Sequence, residues 1–70
     1  MIEILATISS TTAPRFTAGI VLWNDVVVEV APILHYMKRG KWTRARVREY
    51  CRKKGWDIAV VHEQRRPDHG

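Results

Sequence analysis

The chain has 70 residues, with 12 lysines and arginines against 7 aspartates and glutamates, a formal net charge of +5 and an apolar fraction of 46%. A domain of this length buries only about 60% of the surface its unfolded chain exposes, so its core is marginal and self-association as a homodimer would help it. The composition excludes a disordered basic tail and the single cysteine excludes an intramolecular disulfide; residues 1–8 carry Glu3 where a secretory leader is basic and are too short to cross a bilayer, which predicts a soluble cytoplasmic protein without membrane contact.

Residues 2–8 alternate, with Ile2, Ile4, Ala6 and Ile8 on one side and Glu3, Leu5 and Thr7 on the other, which predicts a half-buried strand. Ser9, Ser10, Thr11 and Thr12, followed by Pro14, read as a loop. Two segments rich in β-branched residues, 16–22 and 26–30, flank a polar turn at Asn24 and Asp25 and predict a hairpin. A two-residue loop would set Ile20 opposite Glu29. A three-residue loop from Trp23 to Asp25 is therefore expected, with Ala18, Ile20, Leu22, Val26, Val28 and Val30 on one apolar face.

Pro32 suits the first position of a helix, where its missing N–H costs nothing, so residues 32–39 read as a short helix ended by Gly40. Thr43 is the expected N-cap of a second helix, with Trp42 and Val47 at the positions of a hydrophobic staple. Its end is expected at Gly55, after Arg52, Lys53 and Lys54, whose charges favour the negative pole of the helix. Val47, Tyr50, Cys51 and Lys54 share its inward side, which makes Cys51 a small apolar filler; Glu49 and Lys53 are spaced for an ion pair. Residues 56–61 return to strand character, with Trp56, Ile58 and Val60 on one face. Residues 63–70 are polar and contain Pro67, so they read as a flexible tail on a single domain of residues 1–62. The order strand, hairpin, helices, strand predicts an α+β fold in which a short helix and a longer basic helix cover one face of a small antiparallel sheet.

Charge is distributed very unevenly along these elements. Nine of the 12 basic side chains lie in residues 38–54, where Glu49 is the one acid, so that segment carries +8 while residues 1–37 sum to −2 and residues 55–70 to −1. Arg44, Arg48 and Arg52 recur every four residues, with Lys41 just before them and Arg46 and Lys53 beside them. Arg44 and Arg46 stand in the first turn, where the positive pole of the helix disfavours a cation by several tenths of a kcal/mol (~0.3–1). Local stability does not select them, which points to an anionic partner.

Lys38, Arg39, Lys41, Arg44, Arg48 and Arg52 are thus the candidate contacts, with Trp23 at the expected hairpin tip as an aromatic anchor. The partner classes this charge fits are an acidic protein surface, an RNA–protein complex, or nucleic acid itself, on whose unpaired bases Tyr36 or Trp42 are placed to stack. No helix-turn-helix signature, zinc spacing or RNA-recognition motif accompanies the charge, which argues against sequence-specific reading. His35, His62, His69 and Cys51 fit no paired metal-ligand spacing, and no nucleophile, base and acid can be assembled. A non-enzymatic protein without metal or cofactor is expected.

Three segments, residues 13–19 (Ala-Pro-Arg-Phe-Thr-Ala-Gly), 31–37 (Ala-Pro-Ile-Leu-His-Tyr-Met) and 47–56 (Val-Arg-Glu-Tyr-Cys-Arg-Lys-Lys-Gly-Trp), together resemble a group of small proteins encoded by phages and prophages, mostly without assigned function. Some small phage proteins of this size are anti-CRISPR inhibitors. The resemblance implies that this chain acts in the host cytoplasm by occupying a surface on a host CRISPR effector complex and blocking its target; a non-sequence-specific nucleic-acid-binding accessory protein is the other expectation.

Overall fold

The computed structural model describes residues 1–12 and 15–65, so the expectations for Pro14 and for residues 66–70, His69 included, lie outside the described residues. The elements run β1 (Ile2–Ser10), β2 (Phe16–Trp23), β3 (Val26–Val30), a single 3-10 turn (Pro32–Leu34), α1 (His35–Arg39), α2 (Arg44–Lys54) and β4 (Asp57–Arg65). The four strands form one antiparallel sheet in the order β3-β2-β1-β4. This is the small α+β architecture the order of elements predicts.

In β1 the alternation holds: Ile4, Ala6 and Ile8 are buried and Glu3, Leu5 and Thr7 take the other face. The strand does not break at Ser9, however. Ser10 lies opposite Phe16 with its side chain buried, and its hydroxyl donates to the Thr12 carbonyl at 2.9 Å. A buried polar group that finds its bond inside the protein does not force the chain out to water, so pairing continues two residues further than the serines suggest.

The hairpin corrects a second expectation. Asn24 (φ 50°) and Asp25 (φ 65°) make a two-residue turn whose left-handed backbone matches the twist of the flanking strands. Trp23 stands opposite Val26 and Leu22 opposite Val27; the register then shifts, so that Val21 meets Glu29 and Ile20 meets Val30. Val28 is the extra residue of a bulge. The bulge does what a longer loop was expected to do, keeping Glu29 away from Ile20, and the inward side chain near the turn is Val27, not Val26 or Val28. Asn24 also fastens the turn to β1: its side-chain oxygen accepts from the Ile2 N–H at 3.0 Å and its own N–H donates to the Ile2 carbonyl at 2.9 Å.

The start and end of α2 are as local chemistry predicts. The Thr43 hydroxyl accepts from the Arg46 N–H at 3.3 Å. At the other end Gly55 takes φ 74°, and the N–H groups of Trp56 and Gly55 donate to the carbonyls of Cys51 (2.8 Å) and Arg52 (3.3 Å), closing the last turn. Leu34, Met37, Val47 and Cys51 from the helical layer pack on Ile4, Ala6, Ile8, Ala18, Ile20, Leu22 and Val27 from the sheet, and Phe16 meets Trp56 edge to face at 4.9 Å.

β4 is longer than expected. Glu63, Gln64 and Arg65 stand opposite Ile4, Glu3 and Ile2, so residues read as the start of a tail are in the sheet. Their pairing rests on backbone bonds to β1, which the main chain makes whether its side chains are polar or apolar. The register shifts once, between Ala6–Val60 and Leu5–His62, leaving Val61 as the extra residue. No helix among the described residues is long and apolar enough to cross a membrane.

Candidate functional site

The +8 segment folds into one layer: Lys38 and Arg39 end α1, Lys41 lies in the tight connection, and the remaining cations lie on α2. Lys41 is there at a conformational cost, since its φ of 49° is the left-handed region that a lysine enters reluctantly. Two of the nine cations meet an acid. Lys38 bonds Glu29 on β3 at 3.1 Å and Arg44 stands 3.9 Å from Asp25. Among the described residues Arg39, Lys41, Arg46, Arg48, Arg52, Lys53 and Lys54 have no carboxylate within 4.0 Å, and the expected Glu49–Lys53 pair is not closed.

At 3.6 residues per turn, Arg44, Arg48 and Arg52 form one flank of α2 and Arg46 and Lys53 lie on the other. The second flank faces α1 through aromatic rings: Tyr36 lies 5.5 Å from Trp42 and 5.9 Å from Tyr50, Trp42 lies 5.2 Å from Tyr50, and Tyr50 lies 5.5 Å from Trp56. Arg46 lies over the Trp42 ring at 4.4 Å and Lys54 over Tyr50 at 5.6 Å. Each of these cations follows its ring by four residues, so the signal was present in the sequence as helical spacing. The first flank borders an open groove of about 470 Å³ between the β2–β3 turn and the start of α2, lined by Asn24, Asp25, Thr43, Arg44 and Arg48 among others.

Burial pushes the Cys51 thiol up, in keeping with a packed filler. Burial also raises Tyr36, and the bond from its hydroxyl to that of Tyr50 at 3.3 Å raises it further.

Trp23 is not brought to this layer. It is the last residue of β2, paired across from Glu3 on the sheet face away from the helices, 43% exposed, and its indole N–H donates to the Glu3 carboxylate at 2.8 Å. Lys38, Arg39, Lys41, Arg44, Arg48 and Arg52 thus share one side of the molecule, and Trp23 lies on the other. Among the described residues no three His, Cys, Asp or Glu side chains converge. No family model, curated protein or solved structure matches the chain.

Proposed function

We propose that the protein is a non-enzymatic interaction protein that docks its basic helical layer on an anionic surface of a larger assembly. In its sharpest form, following the resemblance to small phage proteins, it is an anti-CRISPR inhibitor that works in the host cytoplasm and covers the acidic or guide-RNA-bearing surface with which a host CRISPR effector meets its target. One observation carries the reading: among the described residues, seven cations of one layer have no carboxylate within 4.0 Å. Self-repulsion of that kind weakens a fold, and an external anion relieves it. Arginine forks give bidentate contacts to carboxylate or phosphate, and the rings between them exclude water from the contact.

A second reading, direct binding to nucleic acid without base specificity, is favoured by cations on both flanks of α2, since a helix seated in a groove meets phosphates on both walls. Changing Arg44, Arg48 and Arg52 together to Glu tests the shared premise. The variant is expected to fold, because these side chains leave the core, and to lose inhibition of target binding by an RNA-loaded effector. Retained inhibition by the folded variant would remove the helical layer from the function. Salt separates the two readings: contact with about six phosphates weakens binding to a bare oligonucleotide by roughly a thousandfold between about 50 and 200 mM salt. Tight oligonucleotide binding at physiological salt would select the second reading.

A further inference from the structure

The two edges of the sheet are finished differently. On the β3 side the segment entering α2 takes up outer backbone groups, with the Val27 N–H donating to the Trp42 carbonyl at 2.9 Å and Val26 bridging to Thr43. On the β4 side no such closure is found among the described residues: β4 pairs with β1 alone, so Asp57–Arg65 presents N–H and C=O groups along an outer side with which no other described residue pairs. Proline and lysine, which ordinarily blunt an edge, are absent from this stretch. At its centre Val60 and Val61 are 52% and 66% exposed. Val60 stands opposite the buried Ala6, on the side the helices occupy, so the helical layer stops short of it.

We propose that β4 is a self-association edge, pairing antiparallel with β4 of a second copy so that two four-stranded sheets become one and both helical layers lie on the same side. A two-fold contact requires a surface complementary to itself, and the bulge at Val61 creates one. Before the bulge Asp57 and Ala59 lie opposite Ser9 and Thr7 on the open face; after it His62 and Gln64 lie opposite Leu5 and Glu3 on that same face. With the dyad between Val60 and Val61, Ala59 faces the second copy's His62, Ile58 faces its Glu63 and Asp57 faces its Gln64. Each such pair shares a face, no like charges are opposed, and the exposed valines of both copies meet at the axis.

The pairing does not depend on the identity of the anionic partner, but it would set two basic layers side by side and raise the avidity for any long anion. Sedimentation of the full chain over about a hundredfold range of concentration tests it, beside Val60→Lys and Val61→Lys. The expected result is a monomer–dimer equilibrium, weakened about tenfold or more by either lysine, with far-UV spectra unchanged because both positions are exposed. Amide exchange on the unaltered chain gives an independent reading: outward N–H groups of residues 57–65 gain protection as concentration rises. A chain that stays monomeric across the range, lysine variants that dimerise as tightly as the parent, or exchange along β4 that ignores concentration would overturn the proposal.

Discussion

A β-carbon on Gly40 would stand 2.7 Å from the indole nitrogen of Trp42 and 3.2 Å from the Tyr36 carbonyl, so the connection between α1 and α2 closes only because that position has no side chain. The backbone there is ordinary, φ −82°, and the requirement is one of space. Gly40→Ala is expected to displace Trp42 from Tyr36 and Tyr50 and to destabilise the fold by about 1–3 kcal/mol, read as a lower melting temperature. A second residue-scale effect concerns pH. Burial lifts the Cys51 thiol above its ordinary 9.0, and burial with the Tyr50 bond lifts Tyr36 above its ordinary 10.0. The unfolded chain releases these protons at the ordinary values while the fold retains them, so the stabilisation is complete below pH 9.0 and is lost as pH rises beyond it. Thermal melts between about pH 7 and 12 should fall in the alkaline range. Cys51→Val should remove the earlier part of the fall and Tyr36→Phe the later; variants whose profiles run parallel to the parent would contradict this.

At the scale of elements, what could be read in advance was whatever local chemistry decides. Thr43 and Gly55 mark the ends of α2 because capping bonds span only a few residues, and the burial of Val47 and Cys51 follows from helical period. The hairpin register and the length of β4 were not legible, because both depend on a bulge whose position is chosen by the neighbouring strand: Val28 shifts so that Ile20 meets Val30, and Val61 shifts as Glu63 reaches Ile4. The site divides in the same way. The arginine stripe is a property of one helix and could be read from spacing, whereas the separation of Trp23 from it depends on which sheet face β2 turns to the core. The tryptophans make this testable. Trp56 bridges Phe16 and Tyr50, and Trp42 bridges Tyr36 and Tyr50. Truncating such rings costs about 3–5 kcal/mol, comparable with the whole stability of a small domain. Trp42→Ala and Trp56→Ala should therefore unfold the protein at ambient temperature, while Trp23→Ala, which loses one exposed bond to Glu3, should melt within a few degrees of the parent. Circular dichroism of the three variants decides it.

The whole molecule is electrostatically two-sided. The helical side carries the +8 segment, while Glu3, Glu29 and Asp57 stand opposite Trp23, Val21 and Ser9 on the open sheet face. These three acids stand on the face away from the helical layer, although the Glu29 carboxylate reaches Lys38, while Asp25 stands 3.9 Å from Arg44 and Glu49 lies on α2 itself. Such a separation orients an approaching anion before contact and weakens with salt over about a 10 Å screening length at 0.1 M. The most direct measurement of the claim that the helical layer is the binding face is a nitrogen-15 correlation spectrum of the full chain titrated with a short RNA at low salt. Amide and arginine side-chain shifts should change for residues 36–54, Arg48 and Arg52 most, and leave Leu5, Val21 and Trp23 unmoved. Changes centred on Leu5, Val21 and Trp23, with the arginines of α2 unaffected, would contradict it.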